Sequence, residues 1–226
     1  MKFPPVEFAE DDGLLALGGD HSIERLLLAY RSGIFPWYSE GQMILWWSPD
    51  PRFVLFPKKV KISKSLKQLF NRGTFEVTYD QDFQAVISSC KRAPRKGQDD
   101  TWITEEMLKA YIELHVAGYA HSVEVWYEKE LVGGLYGVSI GNCFFGESMF
   151  SKMDNASKVG FITLVRKLES LGFGLIDCQV HTDHLKRLGA EEIPRSEFIK
   201  ILKKGLEHET ISGNWGSNPG FMPTAS

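Results

Sequence analysis

Cysteine is scarce in this sequence of 226 residues, and its three cysteines form no CxxC pair. Isolated Cys90, Cys143 and Cys178 offer neither a disulfide framework nor a zinc ribbon, and such sparing use suits a reducing cytosol. No uncharged apolar run approaches the roughly 18–20 residues that a membrane-spanning helix requires. The first dozen residues carry Glu7, Glu10, Asp11 and Asp12 where a signal peptide has its apolar centre. Positive charge is not in excess either. Lys and Arg number 26 against 29 Asp and Glu, a net −3, which excludes a protein that holds nucleic acid by its overall charge. These absences lead to the expectation of a cytoplasmic chain with no membrane segment.

Aromatic residues make up 12%, six of them Trp. Several Trp fall in Pro-rich stretches, where a ring is as suited to lining a site as to filling a core. Residues 1–56 read as a small irregular lobe, in which Pro36, Pro49 and Pro51 forbid long regular elements. Within it, Asp20 or Ser22 is placed to cap a helix bearing Ile23, Leu26, Leu27 and Tyr30. Trp46 and Trp47 are expected to fill the lobe interface. From Lys58 to Arg72 six basic residues occur with no acid among them, a solvated helix face or, beside a nucleic-acid site, a track for phosphates.

A second domain is expected over residues 57–211. Thr104 caps a helix with Glu105 and Glu106 at the favourable end of its dipole. Three strands follow at about 121–127, 131–140 and 143–151, joined by short hairpin loops. Next come a helix from 156 to about 171, a strand at 174–180 and a helix after Pro194. Residues 212–226, rich in Gly, Pro, Ser and Asn, are expected to be a disordered tail. The order is α+β, and it looks like the mixed-sheet fold of the acyl-CoA N-acyltransferases (GNAT-like).

Two strands carry polar groups that core formation does not explain. Alternation sets Leu175, Asp177 and Gln179 on one face of the strand at 174–180. Burying an Asp and a Gln there is costly without partners, so they either meet solvent or serve a reaction. In the strand at 143–151, alternation puts Phe145, Glu147 and Met149 on one face and Phe144, Gly146, Ser148 and Phe150 on the other. A carboxylate between Phe and Met has its pKa raised or needs a cationic partner. His181, Asp183 and His184 supply three potential metal ligands without a fourth and read as polar side chains at a helix start. Cys178 reads as a small core residue facing away from Asp177.

The acyl-CoA comparison fails at one point. Those enzymes cradle a pyrophosphate on a glycine-rich loop before the long helix. Here the loop is Ser151-Lys152-Met153-Asp154-Asn155-Ala156-Ser157-Lys158, without those glycines and with an acid.

Phe35-Pro36-Trp37, residues 46–52 (WWSPDPR), 101–104 (TWIT), 146–151 (GESMFS), Asn155-Ala156-Ser157-Lys158, 176–179 (IDCQ), and His184 with Leu188-Gly189-Ala190 together resemble the leucyl/phenylalanyl-tRNA–protein transferases. The likeness runs in order from about residue 13 to 194. It implies an enzyme that takes Leu or Phe, and Met less well, from tRNA and joins it to proteins beginning with Arg or Lys, marking them for degradation. No metal or cofactor is implied, and a monomer is expected. By that resemblance Tyr30, Trp37 and Trp102 wall the terminal adenosine, and Phe144 and Met149 line the side-chain pocket. Ser148, Asn155 and Ser157 bind substrate. Glu147, Asp177 and Gln179 surround the ester and the amine. Asp177 holds or deprotonates the amine, Gln179 orients Asp177 or the ester, and Glu147 receives the acceptor's cationic side chain. Whether Asp177 or the ribose hydroxyl carries the proton stays open. One departure from the family pattern is Asp100, where Gly is usual before Thr101.

Overall fold

The computed structural model describes residues 2–94 and 103–221. Trp102 and Asp100 therefore lie outside the described residues. The elements, in order, are β1 (Leu14–Leu17), α1 (Ile23–Arg31), β2 (Phe35–Pro36), β3 (Leu45–Trp47), β4 (Arg52–Leu55), α2 (Lys64–Asn71), β5 (Glu76–Tyr79), α3 (Phe83–Arg92) and α4 (Glu105–Val116). Then follow β6 (Ala120–Tyr127), β7 (Glu130–Ile140), β8 (Cys143–Ser151), α5 (Ala156–Ser170), β9 (Leu175–Gln179), α6 (Asp183–Arg187), β10 (Glu191–Ile193) and α7 (Arg195–Gly205).

β1, β3 and β2 form a small antiparallel sheet, and the other seven strands form one large mixed sheet in the order β10-β4-β9-β8-β7-β6-β5. Among the described strands only β8 and β9 pair in parallel, as the crossover through α5 requires. This is the α+β order, with a mixed sheet, anticipated from the sequence. Burial explains the meander, since the strands alternate between two apolar clusters. On one side lie Val86 and Ile87 of α3, Met107 and Tyr111 of α4, Phe198 and Leu202 of α7, and the lobe residues Leu26, Tyr30 and Trp46. On the other lie Ile162 and Val165 of α5, Leu66 of α2, and Trp215.

Capping follows the sequence in part. The Thr104 hydroxyl accepts from Met107 N at 3.1 Å, as its position before two acids predicts. Neither Asp20 nor Ser22 caps α1 through its side chain. Asp20 instead turns back onto Ser22 N at 3.0 Å.

Two boundaries differ from the sequence reading. β4, which lies within residues 1–56 of the expected lobe, pairs with β9 and β10 and so joins the large sheet. The expected disordered tail is folded as far as residue 221. Trp215 is fully buried, stacked on His121 at 3.7 Å and on Phe221 at 4.0 Å between centroids. Its backbone N–H donates to Asp80 at 2.7 Å, and Asp80 also meets His121 Nδ1 at 2.8 Å. Two large rings outweighed the Gly, Pro and Ser around them, because a buried aromatic side chain removes far more apolar surface from water than such residues do. No described helix is long and apolar enough to cross a membrane.

Candidate active site

Two β-bulges shape the centre of the sheet. In β8, Ser148 pairs with Tyr136 and Gly146 with Gly137, so Glu147 is the extra residue. In β9, Gln179 pairs with Phe53 and Asp177 with Val54, so Cys178 is extra. A bulge reverses the alternation beyond it. Phe144 and Met149, five residues apart, consequently share one apolar cluster, and Phe145 and Phe150 share the other. The unbroken alternation read from the sequence is corrected accordingly.

The same correction separates Asp177 from Gln179. Ile176, Cys178 and Gln179 line a cavity of about 420 Å³, and Asp177 does not. Asp177 is fully buried and forms a two-pronged ion pair with Arg52, Nε to Oδ1 at 2.8 Å and Nη2 to Oδ2 at 2.7 Å. The expected role of Asp177, holding or deprotonating an amine, does not fit a carboxylate closed off behind the strand and matched to a guanidinium. Gln179 sits in the left-handed region at φ +64°, which costs a side-chain-bearing residue about 1–2 kcal/mol. Its backbone N–H donates to Asp177 Oδ1 at 2.9 Å.

The cavity walls are apolar over much of their extent, with Leu135, Phe144, Met149, Phe161, Ile176 and Leu185 among them. Glu147 is the sole acid lining the cavity among the described residues. Its Oε1 accepts from Tyr30 at 2.8 Å and from Gln179 Nε2 at 2.7 Å, and its Oε2 accepts from Tyr111 at 3.0 Å. Burial pushes its pKa up to about 7, against the opposing pull of these three donors and with a smaller push from Asp177. Tyr30 and Tyr111 also touch each other through their hydroxyls. Three contacts join these three side chains, but the two phenols bring only two protons. Protonated Glu147 supplies the third, so each contact then has one donor and one acceptor. Burial, then the Glu147 charge, hold both phenols well above their ordinary pKa.

The other expected site residues scatter. Trp37 and Ser148 line the cavity. Tyr30 is buried behind Glu147 and is no part of the cavity wall, which corrects its placement beside an adenosine. Asn155 and Ser157 do not line the cavity either. Asn155, at φ +68°, precedes α5 and accepts from Lys158 Nζ at 2.9 Å, and Ser157 N donates to Ser151 Oγ at 3.2 Å. Cys178 lines the cavity, but burial, then Asp177, drive its thiol pKa upward, so it is a poor nucleophile. His184 lines the cavity too, its pKa lowered by burial, then by Lys158 and Arg187. Trp47 Nε1 donates to the Trp37 carbonyl at 2.6 Å, fixing the backbone that presents the Trp37 ring. Among the described residues no group of three His, Cys, Asp or Glu is arranged to hold a metal.

The sequence reading passed over Tyr111 and Arg52. Tyr111 looks like one more apolar position on the buried face of α4. Arg52 had a visible signal, a cation directly before the buried strand residues Phe53-Val54-Leu55.

The leucyl/phenylalanyl-tRNA protein transferase family profile matches residues 54–203, and the profile of that family's N-terminal domain matches residues 19–50. A leucyl/phenylalanyl-tRNA–protein transferase of Syntrophus aciditrophicus is 57% identical over 217 residues, covering 96% of this chain and 91% of the relative. One from Pseudomonas fluorescens strain Pf0-1 is 60% identical over 209 residues, covering 92% of each chain. Solved structures align more loosely, among them a GCN5-related N-acetyltransferase from Kribbella flavida at TM-score 0.36 and 9% identity, covering 74% of this chain and 59% of that one.

Proposed function

The chain belongs to the leucyl/phenylalanyl-tRNA protein transferase family, and from that premise we propose that it moves Leu or Phe, and Met less well, from aminoacyl-tRNA to the N-terminal Arg or Lys of acceptor proteins, marking them for degradation. It does so in the cytoplasm, as a monomer. The observation that carries this reading is an apolar cavity whose single acidic wall group among the described residues, Glu147, titrates near neutrality.

The donor's side chain enters among Leu135, Phe144, Met149, Phe161, Ile176 and Leu185. A cavity of this kind selects by shape and apolar area, so a thioether of similar size is tolerated. The adenosine lies toward Phe35, Pro36 and Trp37, where stacking contributes about 1–3 kcal/mol per base. The ester carbonyl is then presented beside Glu147 and Gln179.

An aminoacyl ester is already activated, so the acceptor amine needs only to be neutral and aimed. An α-ammonium titrates at about 7.7–8.0, close to the Glu147 carboxyl at about 7, and a proton passes between them at little cost. The neutral nitrogen attacks the carbonyl carbon, the C–N bond forms, the C–O bond breaks, and the ribose oxygen leaves as a hydroxyl by taking a proton from that nitrogen. Gln179, its amide nitrogen committed to Glu147, turns its amide oxygen to the amine. Glu147 is thus assigned to the amine in place of the acceptor's cationic side chain.

The test mixes purified protein, radiolabelled Leu-tRNA or Phe-tRNA, and a peptide beginning with Arg or Lys. Label on the peptide is the expected result, and its absence would overturn the proposal. Removing a base of this kind typically costs 10²–10⁴-fold, so Glu147→Gln is expected to lower turnover by at least about 100-fold and to abolish the rise in rate as pH passes about 7.

A further inference from the structure

Arg52 takes no part in the transfer chemistry described above, yet it joins three parts of the fold. It stands in β4 and is fully buried. Its guanidinium carbon lies over the ring of Phe35 of β2 at 4.7 Å and over that of Phe198 of α7 at 4.6 Å. Two of its nitrogens bind Asp177, and its third, Nη1, has no hydrogen-bond partner among the described residues. Asp177 is therefore the acceptor that fixes the orientation of this cation, and two aromatic rings pack against it. Phe35 in turn forms part of the cavity wall.

A chain of contacts leads from this clamp to the site. Arg52 Nε holds Asp177 Oδ1, and the same oxygen accepts the backbone N–H of Gln179. That bond closes the bulge at Cys178 and holds Gln179 in its left-handed backbone conformation, from which its amide reaches Glu147. An Asp free to rotate offers no fixed oxygen to a strained backbone. A guanidinium that grips both carboxylate oxygens removes that freedom, as a single-point ammonium does not.

We infer that Arg52 is a positioning residue for the transfer: it locks Asp177, so that the Asp177 carboxylate holds the Gln179 backbone and aims the Gln179 amide at Glu147. The inference rests on the transfer reading for its kinetic consequences, and it assigns Asp177 to the same chain of positioning contacts.

The experiment compares Arg52→Lys, Arg52→Gln, Asp177→Asn and the double variant Arg52→Gln/Asp177→Asn with wild type. It measures kcat and donor KM for transfer from Phe-tRNA to an Arg-peptide, together with thermal midpoints. Small misplacements of reacting groups cost about 100-fold in rate, and a loss of that order in kcat, with donor KM little changed, is expected for each single variant. Arg52→Lys keeps the buried charge and is expected to keep most of the thermal stability while losing kcat. The double variant leaves neither charge buried, so it is expected to regain thermal stability over Arg52→Gln and Asp177→Asn, but without the two-point grip its kcat is expected to stay low. A double variant that folds as wild type does and transfers at the wild-type rate overturns the inference, because the two-point grip would then not be needed. An active Arg52→Lys enzyme with unchanged kcat overturns it as well. A further readout needs no activity, and so separates this inference from the transfer reading. The side-chain amide resonances of Gln179 are expected to shift in Arg52→Lys, and unchanged resonances count against the positioning role whether or not wild type transfers label.

Discussion

Glu147 carries its proton into the neutral range because burial outweighs three hydrogen-bond donors. Unfolded, such a carboxyl titrates at about 4.3, and folded it does so at about 7. Between those two values the folded state binds more proton than the unfolded one, so this group's contribution to stability falls as pH rises through the window and levels off above it. Gln at this position mimics the protonated acid, accepting from Tyr30 and donating to Tyr111. Glu147→Gln should therefore narrow the gap in urea midpoint between pH 5 and pH 8, and an unchanged gap would show that Glu147 does not titrate there. Asp177→Ala has a different signature. It strands Arg52 in the core without its anion, and breaking a fully buried pair in this way costs about 3–5 kcal/mol, measurable by denaturant unfolding. Glu147 was legible in the sequence as a charge inside an apolar strand, and Arg52, a cation just before one, gave a similar signal that went unread. Tyr111 was not, because a Tyr on the buried face of a helix looks the same whether its hydroxyl meets a carboxylate or a wall.

At the scale of elements, helix and strand positions were readable because their apolar periods are long and uninterrupted. The bulges were not. One extra residue leaves no mark on composition, yet it decides which side chains share a face, and so the simple alternation grouped Phe145 with Met149 and Asp177 with Gln179. The β8 bulge sits opposite Gly137, where a Cβ would lie 2.3 Å from the Phe145 carbonyl oxygen and 2.5 Å from the Phe144 ring. Neither can withdraw without moving β8. Gly137→Ala should accordingly destabilise the fold by about 1–3 kcal/mol, as overfilled cores do, and should also slow transfer, since Glu147 rides on the displaced strand. A variant matching wild type in both urea midpoint and kcat would contradict this view of the bulge. Met149→Ala, on the same strand, enlarges the cavity without touching the carboxylate, and is expected to shift donor preference from Leu toward Phe in paired kcat/KM measurements.

For the molecule as a whole, the β6-β7-β8 meander and the α5 crossover to β9 followed from the sequence, whereas the place of β4 in the large sheet and the fate of the C-terminal segment did not. Its polar composition hid Trp215, which stacks on His121 and bonds to Asp80. Trp215→Ala should cost about 3–5 kcal/mol, in the range of large-to-small aromatic substitutions in cores, with little change in kcat at temperatures where the variant stays folded. A thermal midpoint equal to that of wild type would mean the segment is only laid against the sheet. The remaining feature of this scale is the stretch from Lys58 to Arg72. Lys58, Lys61, Lys64, Lys67 and Arg72 are exposed there, and Lys59 is paired with Glu191. On a chain of net charge −3, this stretch is a local concentration of positive charge. The field of such a patch reaches only about 8 Å at physiological salt, so any steering of a polyanion by it belongs to the last moments of an encounter. Lys64→Glu/Lys67→Glu is expected to slow the association of aminoacyl-tRNA and to flatten its salt dependence while the bond-forming step keeps its pace, and an association rate equal to that of wild type would leave this stretch a solvated helix face.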